Sequence, residues 1–186
     1  MSREVYEPSE DTELLLRVLR EREPELRGLR ALEVGPGSGV VARALADAGA
    51  RVVAVDINPG AVAATRALGI EALRGDLAGA MRGPFDVVVF NAPYLPSSEE
   101  ERVEGWLDHA FHGGEGGVEV SERFVRDLAR LLAPGGRAYL VVSSRADLDR
   151  LRSVVQAEGL SAAPAGAARF FFEEISVWRI VRPNHS

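Results

Sequence analysis

Three short apolar runs, each opening onto a residue with chemistry to offer, constrain this chain more than anything else in it. Arg30 to Val34 leads into the glycine loop Glu33-Val34-Gly35-Pro36-Gly37-Ser38-Gly39, Val52 to Val55 ends on Asp56, and Val87-Val88-Val89-Phe90 runs straight into Asn91-Ala92-Pro93-Tyr94. Continuous apolar runs without period-two alternation read as strands of a parallel sheet covered on both faces. Parallel neighbours need long crossovers, and segments of helical spacing fill the gaps between these runs.

The rest of the chain follows the same rhythm. Leu14, Leu15, Val18 and Leu19 recur at helical spacing behind Pro8-Ser9-Glu10-Asp11-Thr12, with Ser9 as the expected N-cap. Further helices are expected from Val40 to Ala48, stopped by Gly49, and from Asn58-Pro59 to Leu68. Two more run from Val118 to Leu132, ended by Pro134-Gly135-Gly136, and from Asp147 to Ala157, stopped by Gly159. Ile70 to Leu73, Phe85 to Phe90 and Ala138 to Val142 read as strands. Leu160 to Val181 reads as two strands around a turn at Pro164-Ala165-Gly166. With no helix between them, those last strands form an antiparallel hairpin at one edge of a seven-stranded, mostly parallel sheet. That ending separates the S-adenosyl-L-methionine (AdoMet) methyltransferase variant of the doubly wound, Rossmann-like, three-layer α/β fold from the dinucleotide-binding one. Residues 1–186 read as one domain, with an N-terminal motif and helix over residues 1–20 covering the site. Residues 91–117 form a long polar loop, a length that usually signals function, here substrate binding.

Composition removes several classes of partner. Without cysteine the chain has no disulfide and no thiolate metal site, and it lacks a signal-peptide core or an apolar run long enough for a membrane helix. A cytoplasmic protein is expected. A net charge of −6 argues against tight nonspecific grip on nucleic acid, which depends on neutralising phosphates. Arginine supplies the whole basic complement, lysine being absent. His109 and His112 lack a third ligand type nearby and read as loop histidines, so no metal is expected.

The glycine loop lets backbone approach a ligand closely. Its Gly35-x-Gly37-x-Gly39 spacing differs from the Gly-x-Gly-x-x-Gly of pyrophosphate sites, and Glu33 stands two residues ahead of it. AdoMet has no phosphate, and needs room for its methionine part and an acid to pair with its charges. Asp56 is placed to accept both ribose hydroxyls, and Asp76, in Gly75-Asp76-Leu77, the adenine amino group. A tight turn with solvated strand-end acids would explain any one of these features. It does not explain the glycine loop together with Asp56, Asp76 and Asn91 on successive strand ends, where open α/β sheets bind ligands.

At the chemical end, an amide or aromatic amino nitrogen is a poor nucleophile because its lone pair is delocalised. The Asn91 side-chain oxygen can accept one of its N–H bonds and the Ala92 carbonyl the other, with Pro93 closing the turn and Tyr94 offering a flat face. Such holding favours the pyramidal nitrogen that develops during methyl transfer.

These residues resemble the release-factor glutamine methyltransferases, and among them the short archaeal and eukaryotic branch that lacks an N-terminal helical domain. The matching stretches are Val5-Tyr6-Glu7-Pro8-Ser9-Glu10-Asp11-Thr12, Leu32 to Val41, Asp56-Ile57-Asn58-Pro59, Asn91 to Tyr94 and Gly113-Gly114-Glu115-Gly116-Gly117. The resemblance implies that Thr12, Glu33, Gly35, Asp56, Asp76, Leu77 and Asn91 contact AdoMet, with Asn91 shared by the substrate glutamine. It also implies a Gly-Gly-Gln motif of a peptide chain release factor as acceptor. A small zinc-binding activator subunit is implied along a sheet edge, for which Ile70 to Leu73 is the candidate strand. The family pattern is Asn-Pro-Pro-Tyr, and Ala92 replaces its first proline, keeping the carbonyl but losing the locked φ. Two other readings remain at this point, a nucleic-acid methyltransferase acting on adenine or guanine amino groups and a non-catalytic AdoMet-binding subunit.

Overall fold

The computed structural model describes residues 9–94, 117–170 and 172–183. Val5 to Pro8, His109, His112 and the loop from Leu95 to Gly116 lie outside the described residues. The strands are β1 (Arg30–Val34), β2 (Arg51–Asp56), β3 (Glu71–Arg74), β4 (Phe85–Phe90), β5 (Leu132–Ser143), β6 (Ser161–Phe170) and β7 (Glu173–Val181). The helices are α1 (Glu10–Arg22), α2 (Val40–Asp47), α3 (Pro59–Ala67), α4 (Glu119–Leu131) and α5 (Leu148–Ala157). They build a seven-stranded sheet in the order β3-β2-β1-β4-β5-β7-β6, parallel from β3 to β5, with β7 antiparallel to both β5 and β6.

The alternation of side chains along the central strands explains the three layers. Leu32, Val34, Val88, Phe90 and Leu140 share one core with Phe124, Val125 and Leu128 of α4 and Leu151 and Val155 of α5. Their sequence neighbours Ala31, Val87, Val89, Tyr139 and Val141 meet Leu14, Leu15 and Val18 of α1 and Val41 and Leu45 of α2 on the other face. Burial on both sides is why these strands read as unbroken apolar runs. Among the described residues no helix is long and apolar enough to cross a membrane.

Helix α1 is fixed at its C-terminal end by Glu23. This buried carboxylate accepts a 2.6 Å bond from the Tyr139 hydroxyl and a 2.7 Å bond from Arg137 Nε, and forms an ion pair with the same guanidinium. Burial raises the Glu23 pKa, but the bonds from Arg137 and Tyr139 outweigh it and hold the carboxyl below its ordinary 4.5. Burial, then the bond to Glu23, pushes the Tyr139 hydroxyl up to about 12. A depressed carboxyl pKa contributes stability above the unfolded value, and that stability is lost as pH falls through the folded one. Glu23→Ala is therefore expected to cost about 3 kcal/mol near neutral pH by leaving Arg137 unpaired. Chemical denaturation should show that difference shrinking as pH drops below 4.5.

Two expectations for local structure are corrected. Pro134-Gly135-Gly136 does not separate α4 from β5, because β5 begins at Leu132 and includes all three residues. The β4–β5 register shifts between Phe85↔Leu132 and Val87↔Arg137, so the extra residues are absorbed as a bulge, with Gly135 at φ +74°. The hairpin does not turn at Pro164-Ala165-Gly166 either. Those residues lie inside β6, where Pro164 pairs with Trp178 and Gly166 with Val177, leaving Ala165 as the extra residue of a bulge. The chain reverses between Phe170 and Glu173 instead. An edge strand tolerates a proline and a bulge because one side of its ladder has no partner. Gly166 serves close approach: a Cβ there would lie 2.5 Å from Val18 Cγ2, so its absence lets α1 settle on β6.

Candidate active site

The residues singled out in the sequence meet at the carboxyl edge of the parallel strands because the register puts them there. Val34 pairs with Val55 on one side and Phe90 on the other, so Gly35, Asp56 and Asn91 are each the next residue beyond a matched trio. The Gly35 N–H continues the ladder to the Val55 carbonyl at 2.8 Å, and the Gly75 N–H reaches the Asp56 carbonyl at 3.0 Å. Gly35, Gly37 and Gly39 have φ values of +63°, +52° and +82°, the left-handed region that side chains disfavour. At Gly39 sterics add to strain: a Cβ would stand 3.0 Å from Thr65 Oγ1 and 3.1 Å from its Cα.

Glu33 is fully enclosed behind this loop. Its carboxyl accepts a bond from the Ala42 N–H in the first turn of α2, while Oε2 has no hydrogen-bond partner. Burial, with the nearby Asp56 charge adding to it, raises the Glu33 pKa to about 8. Asp56 is half-buried and shapes the loop beside it. Its Oδ1 accepts from the Asn58 N–H at 2.8 Å and its Oδ2 from the Gly37 N–H at 3.3 Å. Burial raises the Asp56 pKa, and the bonds from Asn58, Gly37 and Ile57 oppose the rise. Asp76 is more exposed and meets Arg123 of α4 at 2.5 Å. Leu77 beside it has φ +47° and packs against the core.

At the end of β4 the backbone dives inward, with Ala92 2% exposed. Asn91 Nδ2 donates to Thr12 Oγ1 at 3.3 Å, which brings the N-terminus of α1 onto the end of β4. Asn91 Oδ1 is buried and has no partner. The Tyr94 hydroxyl donates to Asp11 Oδ2 at 3.4 Å, and Asp11 is 5% exposed. Gly117, where the described chain resumes, lies so close to Tyr94 that a Cβ there would be 2.4 Å from the Tyr94 carbonyl oxygen.

The structure thus brings Thr12, Glu33, Gly35, Gly37, Gly39, Asp56, Asn91, Ala92, Pro93 and Tyr94 to one edge, with Asp76 and Leu77 one loop further out. Sequence reading missed Asp11 and Arg123. Asp11 was visible within Glu10-Asp11-Thr12, but an acid in a first helical turn reads as a partner for the helix dipole.

This strand order and edge define an AdoMet-dependent methyltransferase of class I, and the family model for a methyltransferase domain matches residues 32–140. Over 187 residues the chain is 36% identical to a candidate protein N5-glutamine methyltransferase of Methanocaldococcus jannaschii, covering 95% of this chain and 93% of that one. It is likewise 36% identical to methyltransferase HEMK2 of Mus musculus, over 95% and 89% of the two chains. Among solved structures, the Mtq2–Trm112 complex of E. cuniculi, responsible for methylation of the eRF1 translation termination factor, superimposes with a TM-score of 0.78. Identity there is 27%, covering 96% of this chain and 99% of that one. The chain belongs to the release-factor glutamine methyltransferase family.

Proposed function

We propose that this enzyme methylates the side-chain amide of the glutamine in the Gly-Gly-Gln motif of a peptide chain release factor, in the cytoplasm. The observation that carries this reading is Asn91 Oδ1, a buried acceptor without a partner at the end of β4. A buried carbonyl oxygen left unbonded costs about 1–3 kcal/mol, which an incoming N–H would recover. Asn91 Oδ1 accepts a hydrogen bond from one N–H of the glutamine amide and the Ala92 carbonyl one from the other, Tyr94 lies against the amide plane, and one N–H proton leaves to solvent as the methyl group is taken up. Bound AdoMet supplies an electrophilic methyl group on a sulfonium centre. The holding residues aim the nitrogen lone pair at it and strengthen their bonds as positive charge develops.

The residues behind the glycine loop fit AdoMet. Glu33 is a buried acid with one oxygen unused, suited to the positive charge of the methionine part. Asp56 takes the ribose hydroxyls, Asp76 and Leu77 flank the adenine, Gly35, Gly37 and Gly39 give backbone access, and Thr12 closes the site from above. The whole chain, 1–186, acts as one catalytic unit, with residues 1–20 as cover and 91–117 as the substrate loop. A small zinc-binding activator docks on β3, a reading supported by its edge position and by Leu68 and Leu73, 38% and 41% exposed, at that side of the sheet.

Two expected results follow for individual residues. Because the Glu33 pKa lies near 8 rather than 4.5, the ligand-free fold takes up a proton between those values and loses stability as pH rises across them. A cationic ligand reverses this by ionising the carboxyl, so AdoMet binding at neutral pH should release a proton. Calorimetry in buffers of different ionisation enthalpy reads that proton, and Glu33→Gln should abolish it while raising the ligand-free melting temperature at alkaline pH. For Ala92→Pro, which keeps the carbonyl, methylation of a Gly-Gly-Gln substrate should hold or rise. Loss of activity with normal folding would make Ala92 a determinant for another acceptor.

The test of the reading is the fate of labelled methyl in a mixture of purified release factor and total RNA. Label on the release factor is expected, and label on RNA alone would assign the enzyme to nucleobases.

A further inference from the structure

The amide of Asn91 can act as described only if its oxygen, not its nitrogen, faces the acceptor. Two oppositely directed arrangements are available to it, because a threonine hydroxyl both donates and accepts. If Thr12 donated to Asn91, the amide would turn over and present its NH2 group to the site. The neighbouring carboxylate decides between them. Asp11 Oδ1 accepts from the Thr12 backbone N–H at 2.6 Å, from Ser9 Oγ at 2.6 Å and from Thr12 Oγ1 at 3.3 Å. An ionised carboxylate only accepts, so the single Thr12 hydroxyl proton is committed to Asp11 and the lone pairs are left for Asn91 Nδ2.

We infer that Asp11 is a positioning residue that sets the orientation of the Asn91 amide through the Thr12 hydroxyl. The same carboxylate holds the Tyr94 hydroxyl through Oδ2. One acid on α1 therefore governs both side chains that flank the acceptor nitrogen, through a Thr12–Asn91 bond spanning 79 residues of sequence and an Asp11–Tyr94 bond spanning 83. The direction of every bond follows from proton counting: carboxylate accepts, hydroxyl relays, amide donates, and the amide oxygen is left over, as observed. Burial of Asp11 and Thr12, 5% and 4% exposed, keeps water from substituting for either partner. This inference rests on the role proposed for Asn91.

The experiment compares Asp11→Ala, Asp11→Asn, Thr12→Val and the double variant Asp11→Ala/Thr12→Val in the full chain, the kcat series also being measured in a Tyr94→Phe background that removes the second bond to Asp11. Alanine at 11 frees the Thr12 hydroxyl proton for Asn91, whereas an asparagine must keep its oxygen towards Thr12, because the backbone N–H 2.6 Å from Oδ1 excludes an NH2 group there. Asp11→Ala is expected to lower kcat about tenfold or more, with the AdoMet Kd within a few-fold of wild type. In the Tyr94→Phe background Asp11→Ala should add no further loss once Thr12 is valine, because no hydroxyl remains to be reoriented. The side-chain NH2 resonances of Asn91 in a 15N spectrum should move far in Asp11→Ala and little in Asp11→Asn, a readout independent of the acceptor. Unmoved resonances in Asp11→Ala, an equal response to both substitutions, additive losses in the Tyr94→Phe background, or parallel losses of kcat and Kd would each overturn the inference. If instead wild-type enzyme fails to methylate a release factor while the Asn91 resonances respond to Asp11→Ala, the substrate assignment fails and the relay stands.

Discussion

Asn91→Ala is expected to reduce kcat by about 100-fold or more while AdoMet affinity stays within a few-fold, since preorganised groups aimed at developing charge are worth that much. The structure explains why the loss should be confined to turnover. Removing the Asn91 side chain deletes the unpartnered oxygen and the 3.3 Å bond to Thr12. Thr12 keeps its contacts with Asp11, and α1 keeps its anchor at Glu23. Among the described residues that side chain makes no hydrogen bond to the cofactor edge built by β1, β2 and the glycine loop. Single-turnover rates and equilibrium binding, measured side by side, separate the two quantities. Equal losses in both would make Asn91 a cofactor residue only.

Asp56→Ala should do the reverse. In the role proposed for Asp56, losing a charged acceptor for the ribose hydroxyls costs about 1.5–3 kcal/mol, a weakening of about tenfold to 150-fold in Kd. The substitution also releases the N–H groups of Asn58 and Gly37, so the glycine loop loses the carboxylate that tethers it to the end of β2. Asp56→Asn retains an acceptor oxygen for one of these donors and should fall between wild type and alanine. At saturating AdoMet the turnover of both variants should approach wild type, because neither touches the acceptor side. Calorimetric titration tests the first statement, and unchanged affinity would remove Asp56 from the site.

What the sequence revealed of this fold divides along physical lines. β1 and β4 were legible to the residue because they are buried on both faces, and apolar continuity is then forced on the sequence, whereas β2, only partly buried, extends one residue beyond its apolar run at each end. The strand-end acids were legible for the same reason, since a polar residue that interrupts such a run marks where the strand leaves the core. Proline and glycine were misread where their purpose was tertiary. Pro164 is tolerated by an edge strand, and Gly166 makes room for Val18, so neither forms a turn. Gly135 and Gly136 serve a bulge beside Phe85, a contact that depends on a partner some fifty positions away. Asp11 escaped notice because its partner Tyr94 is remote in sequence, and nothing local distinguishes a network acid from a helix-dipole acid.

Charge supports the division of labour in the site. Glu33 is enclosed, raised to about 8 and destabilising when ionised without a cation. Asp56 is half-buried and already satisfied by backbone N–H groups. In the proposed reading one acid waits for a positive ligand, and the other holds the loop in shape for it.

The most direct measurement is tandem mass spectrometry of a release factor after incubation with the enzyme and AdoMet, alongside the Asn91→Ala variant. The account predicts one added methyl on the side-chain nitrogen of the Gly-Gly-Gln glutamine with wild-type enzyme and almost none with the variant. A methyl on any other residue, or equal labelling by both enzymes, would contradict it.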